Sequence, residues 1–162
     1  MNLIKLNDLN ALSLYEIKRK PDKKYGKITV EIEMTVGRGA GFRKVRLASW
    51  NIGSLTGKSI ELVKSLRRRK ISIACVQETK WVGAKARGID GYKIWYSRSI
   101  KAKNEVGILV EKELADFVVE VRYKSDRIMA IKVLVGSVFV NVVIVYAPVS
   151  YTHLTLPTKR IV

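Results

Sequence analysis

Three polar side chains stand where apolar, strand-like runs end: Asn51 after Val45–Trp50, Glu78 after Ile71–Gln77, and Tyr146 after Val138–Val145. Layered α/β folds commonly build their sites at such strand ends. A carboxylate such as Glu78 is the oxygen ligand that a hard divalent cation prefers, and Mg²⁺ typically takes one or two protein carboxylates and completes its shell with water and phosphate oxygens. An amide such as Asn51 can donate to a phosphate oxygen, and the Tyr146 hydroxyl can do the same. Together the three suit chemistry on a phosphodiester. Singly, each has an ordinary structural role: an acidic strand end is a solvated cap, and Tyr146-Ala147-Pro148 is a strand terminator.

The elements that must position these groups are legible from periodicity. A strand is expected over Val45–Asn51, then a Gly/Ser/Thr loop, then a helix from Ser59 to Arg69, in which Ile60, Val63 and Leu66 recur at helical spacing and Ser59 suits the N-cap. Arg67-Arg68-Arg69-Lys70 falls in the last turn, where cations complement the carbonyl end of the helix dipole. The buried-looking strand Ile71–Gln77 follows, then a Gly- and Lys-rich loop through Gly91. Further strands are expected at Tyr92–Tyr96, Val106–Val110, Phe117–Tyr123, Ile128–Val135 and Val138–Val145, with Gly136-Ser137 turning a hairpin between the last two. One helix among many strands points to an α/β layered fold whose sheet is largely antiparallel in its second half.

Residues 1–44 read differently, as a basic extension or linker, with Lys18-Arg19-Lys20 and Lys23-Lys24 as charge clusters, glycines at 37, 39 and 41, and a short strand conceivable at Ile28–Met34. At the other end, Val149–Thr158 matches the conceptual translation of a transposase sequencing adapter codon for codon, so residues 149–162 are expected to be a translated tail and His153, the sole histidine, an artefact rather than a base.

Composition narrows the function classes. The 162 residues are 48% hydrophobic, enough for one domain with a core. No apolar run reaches the ~20 residues of a membrane span, and no secretory signal is visible, so an intracellular protein without a membrane partner is expected. A single cysteine, Cys75, excludes an internal disulfide and reads as a small buried thiol. The net charge of +17, from 31 Lys+Arg against 14 Asp+Glu, implies strong attraction to polyanions. Nucleic acid is the leading partner; the sequence is silent on oligomeric state.

Four segments resemble, in order and spacing, successive motifs of the endonuclease/exonuclease/phosphatase superfamily, whose fold is DNase I-like: Ser49-Trp50-Asn51-Ile52, Val76-Gln77-Glu78-Thr79, Val106-Gly107-Ile108-Leu109 and Asn141–Pro148. Within it, Gly57–Val63 and Gln77–Gly83 look most like non-LTR retrotransposon endonuclease domains and the craniofacial development protein 2-like proteins. The resemblance spans residues 43–148, so a partial domain over 45–148 is expected, an incomplete DNase I-like two-layer α/β sandwich with a mixed, largely antiparallel sheet. It implies that Glu78 ligates Mg²⁺ or Mn²⁺ with Asn51 helping to hold phosphate and metal, that Tyr146 contacts the target phosphate and Arg127 the DNA backbone, and that water attacks a DNA phosphodiester in line, with no small-molecule cofactor. The family's Asp-x-Asn pair, second aspartate and Ser-Asp-His stretch, all downstream of its Tyr-x-Pro motif, do not follow Tyr146-Ala147-Pro148 here. Without them no general base can be named, and negligible nicking by these 162 residues is expected. The missing half would also supply the family's second sheet, so apolar faces are expected to be left uncovered. A retrotransposon nuclease must reach chromosomal DNA, and Lys18-Arg19-Lys20 could assist nuclear import.

Two other readings compete. In Gly53-Ser-Leu-Thr-Gly57-Lys58-Ser59 a phosphate-binding P-loop would need a glycine where Ile52 stands, so the loop is one residue short. A non-catalytic nucleic-acid-binding module is the other, because Trp81, Tyr92, Trp95 and Tyr96 lie among Lys80, Lys85, Arg87, Lys93 and Arg98 as a stacking surface would require, although alternating strand aromatics, Trp95 among them, more often belong to a core.

Overall fold

The structure is a computed structural model that describes residues 12–22, 27–38, 41–52, 57–79, 86–96, 106–125, 127–136 and 138–145; up to residue 42, and at Asn51, only the backbone is described. The elements run β1 (Leu12–Asp22), β2 (Lys27–Arg38), β3 (Gly41–Asn51), α1 (Ser59–Arg68), β4 (Ile73–Gln77), β5 (Ala86–Ile89), β6 (Tyr92–Tyr96), β7 (Val106–Glu111), α2 (Lys112–Ala115), β8 (Val118–Tyr123), β9 (Ile128–Val135) and β10 (Val138–Val145). Seven strands form one sheet in the order β1-β2-β3-β4-β7-β6-β5, and three form a second in the order β10-β9-β8. Among the described residues only β3 and β4 pair in parallel, joined through α1, and the other pairs are antiparallel.

β4 is buried at every position because it is covered on both faces. Ala74 and Val76 pack with Leu62, Val63 and Leu66 of α1, while Ile73 and Cys75 pack with Met129, Ile131, Val140 and Val142 of the second sheet. β3 divides in the same way, Ala48 and Trp50 toward the helix and Val45 and Leu47 toward the second sheet. β9 and β10 instead alternate buried with half-buried or exposed residues, as strands covered on one face must.

The arrangement corrects two expectations. The described residues are strand-dominated, two sheets with two helices, rather than a plain two-layer α/β sandwich. The second sheet is also not missing: β8, β9 and β10 supply it and close the inter-sheet core. Among the described residues, Val119, Ile128 and Phe139 are exposed on the outer side of that small sheet, and Ile60 of α1 and Phe117 are exposed as well. Within residues 1–44, β1 and β2 extend the large sheet beyond β3, and β2 contains the short strand anticipated at Ile28–Met34. Ser59 is the first helical residue rather than the cap; Lys58 takes the N-cap position without a side-chain cap bond. Among the described residues no helix is long and apolar enough to cross a membrane.

Candidate functional site

The parallel pair β3–β4 brings two of the anticipated groups to one edge of the large sheet. Asn51, last in β3, lies opposite Gln77, last in β4, and Glu78 follows directly. The Ile52 N–H donates to the Gln77 carbonyl at 3.2 Å, which carries the register one step past the end of β3. Within the sheet, the Gln77 side-chain amide donates to the Ser49 hydroxyl at 3.3 Å, and Gln77 is fully buried. Thr79 is fully buried too, yet Glu78 between them is half-buried, with φ +59°. A left-handed backbone at a non-glycine residue redirects the side chain out of the strand's alternation.

The antiparallel partners extend this end of the molecule. Val106 at the start of β7 pairs with Gln77, and Tyr96 at the end of β6 pairs with Gly107. Tyr123 closes β8, and its phenol is held above its ordinary pKa by burial first and then by the Tyr96 phenol. The turn after Tyr123 is tight, with the Lys124 and Ser125 N–H groups both donating to the Ile128 carbonyl. Arg127 lies in that turn, exposed, its N–H donating to the Ser125 hydroxyl at 3.1 Å. Since Ile128 pairs with Val145, the exit of β10 lies next to Arg127.

Glu78, the backbone of Asn51 and Tyr96 therefore stand at one end of the large sheet, and Tyr123 and Arg127 at one end of the small sheet. Tyr146, one residue past β10, lies outside the described residues, as does the side chain of Asn51. Tyr123 was not among the residues singled out from sequence, although the criterion that selected Asn51, Glu78 and Tyr146, a polar residue closing an apolar run, applies to it equally. Among the described residues no three His, Cys, Asp or Glu side chains form a metal cage. A half-buried carboxylate such as Glu78 nevertheless suits an ion that keeps most of its water.

The basic run lies at the other end of α1 and is engaged in packing. Arg67 donates to the Asp90 carbonyl and sits 3.5 Å from its carboxylate, Arg68 donates to the Ser65 hydroxyl at 3.2 Å, and Arg69 stacks 5.2 Å from the Trp50 ring centroid. The aromatic residues likewise belong to the cores. Tyr92 donates its hydroxyl to the Ile71 carbonyl at 2.6 Å, Trp95 joins the inter-sheet cluster and Tyr96 the helix-side cluster. Tyr92, Trp95 and Tyr96 thus offer no open stacking platform; Trp81 lies outside the described residues, as does 53–56 of the would-be P-loop.

No family profile matches the chain, and no solved structure matches it. Two curated proteins are similar to it. Craniofacial development protein 2 of Bos taurus is 27% identical over 110 residues, 66% of this chain and 18% of that protein. The protein of the same name from Tragulus javanicus is 26% identical over 110 residues, 66% of this chain and 19% of its own length. The similarity is distant, and the chain spans less than a fifth of the length of either relative.

Proposed function

We propose that this chain carries part of the site of a metal-dependent phosphodiesterase that nicks DNA, of the retrotransposon-endonuclease kind within the DNase I-like superfamily. The observation that carries the reading is Glu78, a half-buried carboxylate turned out of its strand by a left-handed backbone, directly beside the end of the parallel strand that closes on Asn51. The distant similarity to craniofacial development protein 2 over two thirds of the chain supports it, as do the four ordered motifs and the charge of +17.

In this reading Glu78 holds Mg²⁺ or Mn²⁺ with Asn51 beside it, and the bound ion supplies stabilisation of charge on the phosphoryl oxygens. Asn51 and Tyr146 donate to the target phosphate. Arg127, exposed in the turn that enters β9, pairs with a neighbouring backbone phosphate as a guanidinium does well. Removing the proton from an attacking water needs a base within hydrogen-bond reach, and neither the Asp-x-Asn pair nor the Ser-Asp-His stretch that would furnish one follows Tyr146-Ala147-Pro148 in this sequence. The chain alone therefore binds metal and DNA but nicks negligibly. A nuclease of this kind works where chromosomal DNA is, and we assign it to the nucleus.

The test is a Mn²⁺ titration of the 162-residue chain with a short DNA duplex, followed by electron paramagnetic resonance, alongside plasmid nicking. Glu78→Gln is expected to weaken Mn²⁺ binding about tenfold or more, with no nicking by either form. Equal Mn²⁺ affinity in both, with DNA binding lost only as salt rises, would replace the nuclease reading by that of a basic, non-catalytic nucleic-acid-binding module. Mn²⁺-dependent nicking by the purified chain would show that a base was overlooked.

A further inference from the structure

Among the described residues, the non-glycine positions with left-handed backbone are Lys70, Glu78 and Asp90. Two have local explanations. Lys70 ends α1 in a Schellman motif, with its N–H on the Arg67 carbonyl and the Ile71 N–H on the Leu66 carbonyl, while Leu66 and Ile71 share the helix-side core. Asp90 is the first residue of the two-residue turn Asp90-Gly91 between β5 and β6, in which both residues need positive φ. Among the described residues nothing places Glu78 in a helix end or a hairpin turn, and a residue held in this region costs of order 1–3 kcal/mol unless its surroundings impose it.

What borders Glu78 is a pair of buried anchors. On one side Gln77 is fixed to β3 through Ser49 and through its own carbonyl. On the other, Thr79 is packed onto Gly107 of β7. A Cβ built at Gly107 would lie 3.3 Å from Thr79 Cγ2 and 3.2 Å from Ile94 Cδ1, so the absence of a side chain is what lets Thr79 settle onto the strand. Gly107 is itself fixed by pairing with Val76 on one side and Tyr96 on the other. With Gln77 and Thr79 both pinned, the chain between them passes through the left-handed conformation at Glu78.

We propose that Gly107 is a positioning residue for Glu78, acting through Thr79: the bare strand seats the threonine methyl, and the seated threonine imposes the turn that aims the carboxylate. The inference rests on the reading of Glu78 as the metal ligand, but the turn can be measured without metal.

The experiment moves a methyl group from one residue to the other. In isotope-labelled chain, the amide-to-Hα cross-peak within Glu78 is strong only at positive φ and reports the turn, and Mn²⁺ titration reports the ligand. Gly107→Ala is expected to weaken that cross-peak and to lower Mn²⁺ affinity about tenfold, in the range seen when groups supporting a metal ligand are altered. Adding Thr79→Ser, which removes Cγ2 and keeps the hydroxyl, is expected to restore both. Adding Ile94→Val, which removes Cδ1 instead, is expected to restore neither. Should Gly107→Ala fail to fold, Thr79→Ser alone tests the same seat, since loss of the methyl is expected to weaken the Glu78 cross-peak. An unchanged cross-peak in Gly107→Ala or in Thr79→Ser, or rescue by Ile94→Val as good as by Thr79→Ser, overturns the proposal and leaves Gly107 as packing alone. If the cross-peaks follow the expected pattern while Glu78→Gln leaves Mn²⁺ affinity untouched, the seat stands and the metal reading falls.

Discussion

Two ionisable side chains are held in their neutral form by the fold, and both sit within or beside the strands that build the candidate site. Burial pushes the Cys75 thiol from 9.0 up to about 12. Burial first, and then the charge of Glu111, pushes the Tyr92 phenol from 10.0 up to about 12 against the opposing pull of Arg67. Because the folded-state values are raised, the unfolded chain releases these protons first as pH rises. The stability they carry is complete below about pH 9 and is lost progressively as pH climbs toward 12. Thermal unfolding followed by circular dichroism is expected to show a falling midpoint over that window, and Cys75→Ala to flatten the lower part of the fall. An equally steep fall in the variant would mean that other groups govern alkaline unfolding. At this scale the sequence was informative about identity and weak on conformation. The burial of Cys75 followed from its apolar neighbours, and Asn51 and Glu78 were recognisable as residues closing strands. The positive φ of Glu78 was not legible, because it depends on Gly107, a strand away and 29 positions along the chain.

Among the elements, those with a clean period were legible and those set by a turn were not. β9 and β10 run over the residues that β-branched alternation indicates, and α1 ends one residue before the expected Arg69. β5 escaped notice because Ala86, Arg87 and Gly88 are exposed and show no apolar alternation. The available signal was Asp90-Gly91, a dipeptide that favours two-residue hairpins because both positions need positive φ. That turn is also where α1 holds β5 and β6, since Arg67 reaches over it to both the carbonyl and the carboxylate of Asp90. Gly91 has φ +87°, and a Cβ there would come within 2.9 Å of Arg67 Nη2. Gly91→Ala therefore faces backbone strain and displaces the arginine, and a loss of about 1–3 kcal/mol in urea unfolding is expected. Arg67→Ala with Gly91→Ala should lose less than the two single changes added together, since removing the arginine removes the clash. Strict additivity would show that the backbone conformation alone sets the cost.

For the molecule as a whole, the question is whether two sheets suffice to hold it together. The expectation drawn from sequence was of strands left uncovered, because the resemblance assigned the covering sheet to the later half of the family's domain. The reason it failed is topological: β8, β9 and β10 read as consecutive strands, but nothing in their periodicity says that they leave the first sheet and fold back over it. Leaving the first sheet lets Met129, Ile131, Val133 and Val135 face Ile73, Cys75, Ile108 and Val110 in one closed cluster. A cooperative thermal transition is accordingly expected, and its dependence on single residues should divide by face. Ile131 is 1% exposed in that cluster, so Ile131→Ala should cost about 2–5 kcal/mol through lost burial and the cavity left behind. Phe139 lies on the outer face of β10, 45% exposed with the Lys132 ammonium 4.8 Å from its ring, and Phe139→Thr should cost less than about 1 kcal/mol. Chemical denaturation of both variants checks the division. If Phe139→Thr proved as damaging as Ile131→Ala, the outer face would have to be covered in solution, and the small sheet would be a middle layer rather than an outer one. If Ile131→Ala were mild, the two sheets would not share a core, and the strand-end site, which draws Glu78 from one sheet and Arg127 from the turn entering the other, would lose the packing that brings its halves together.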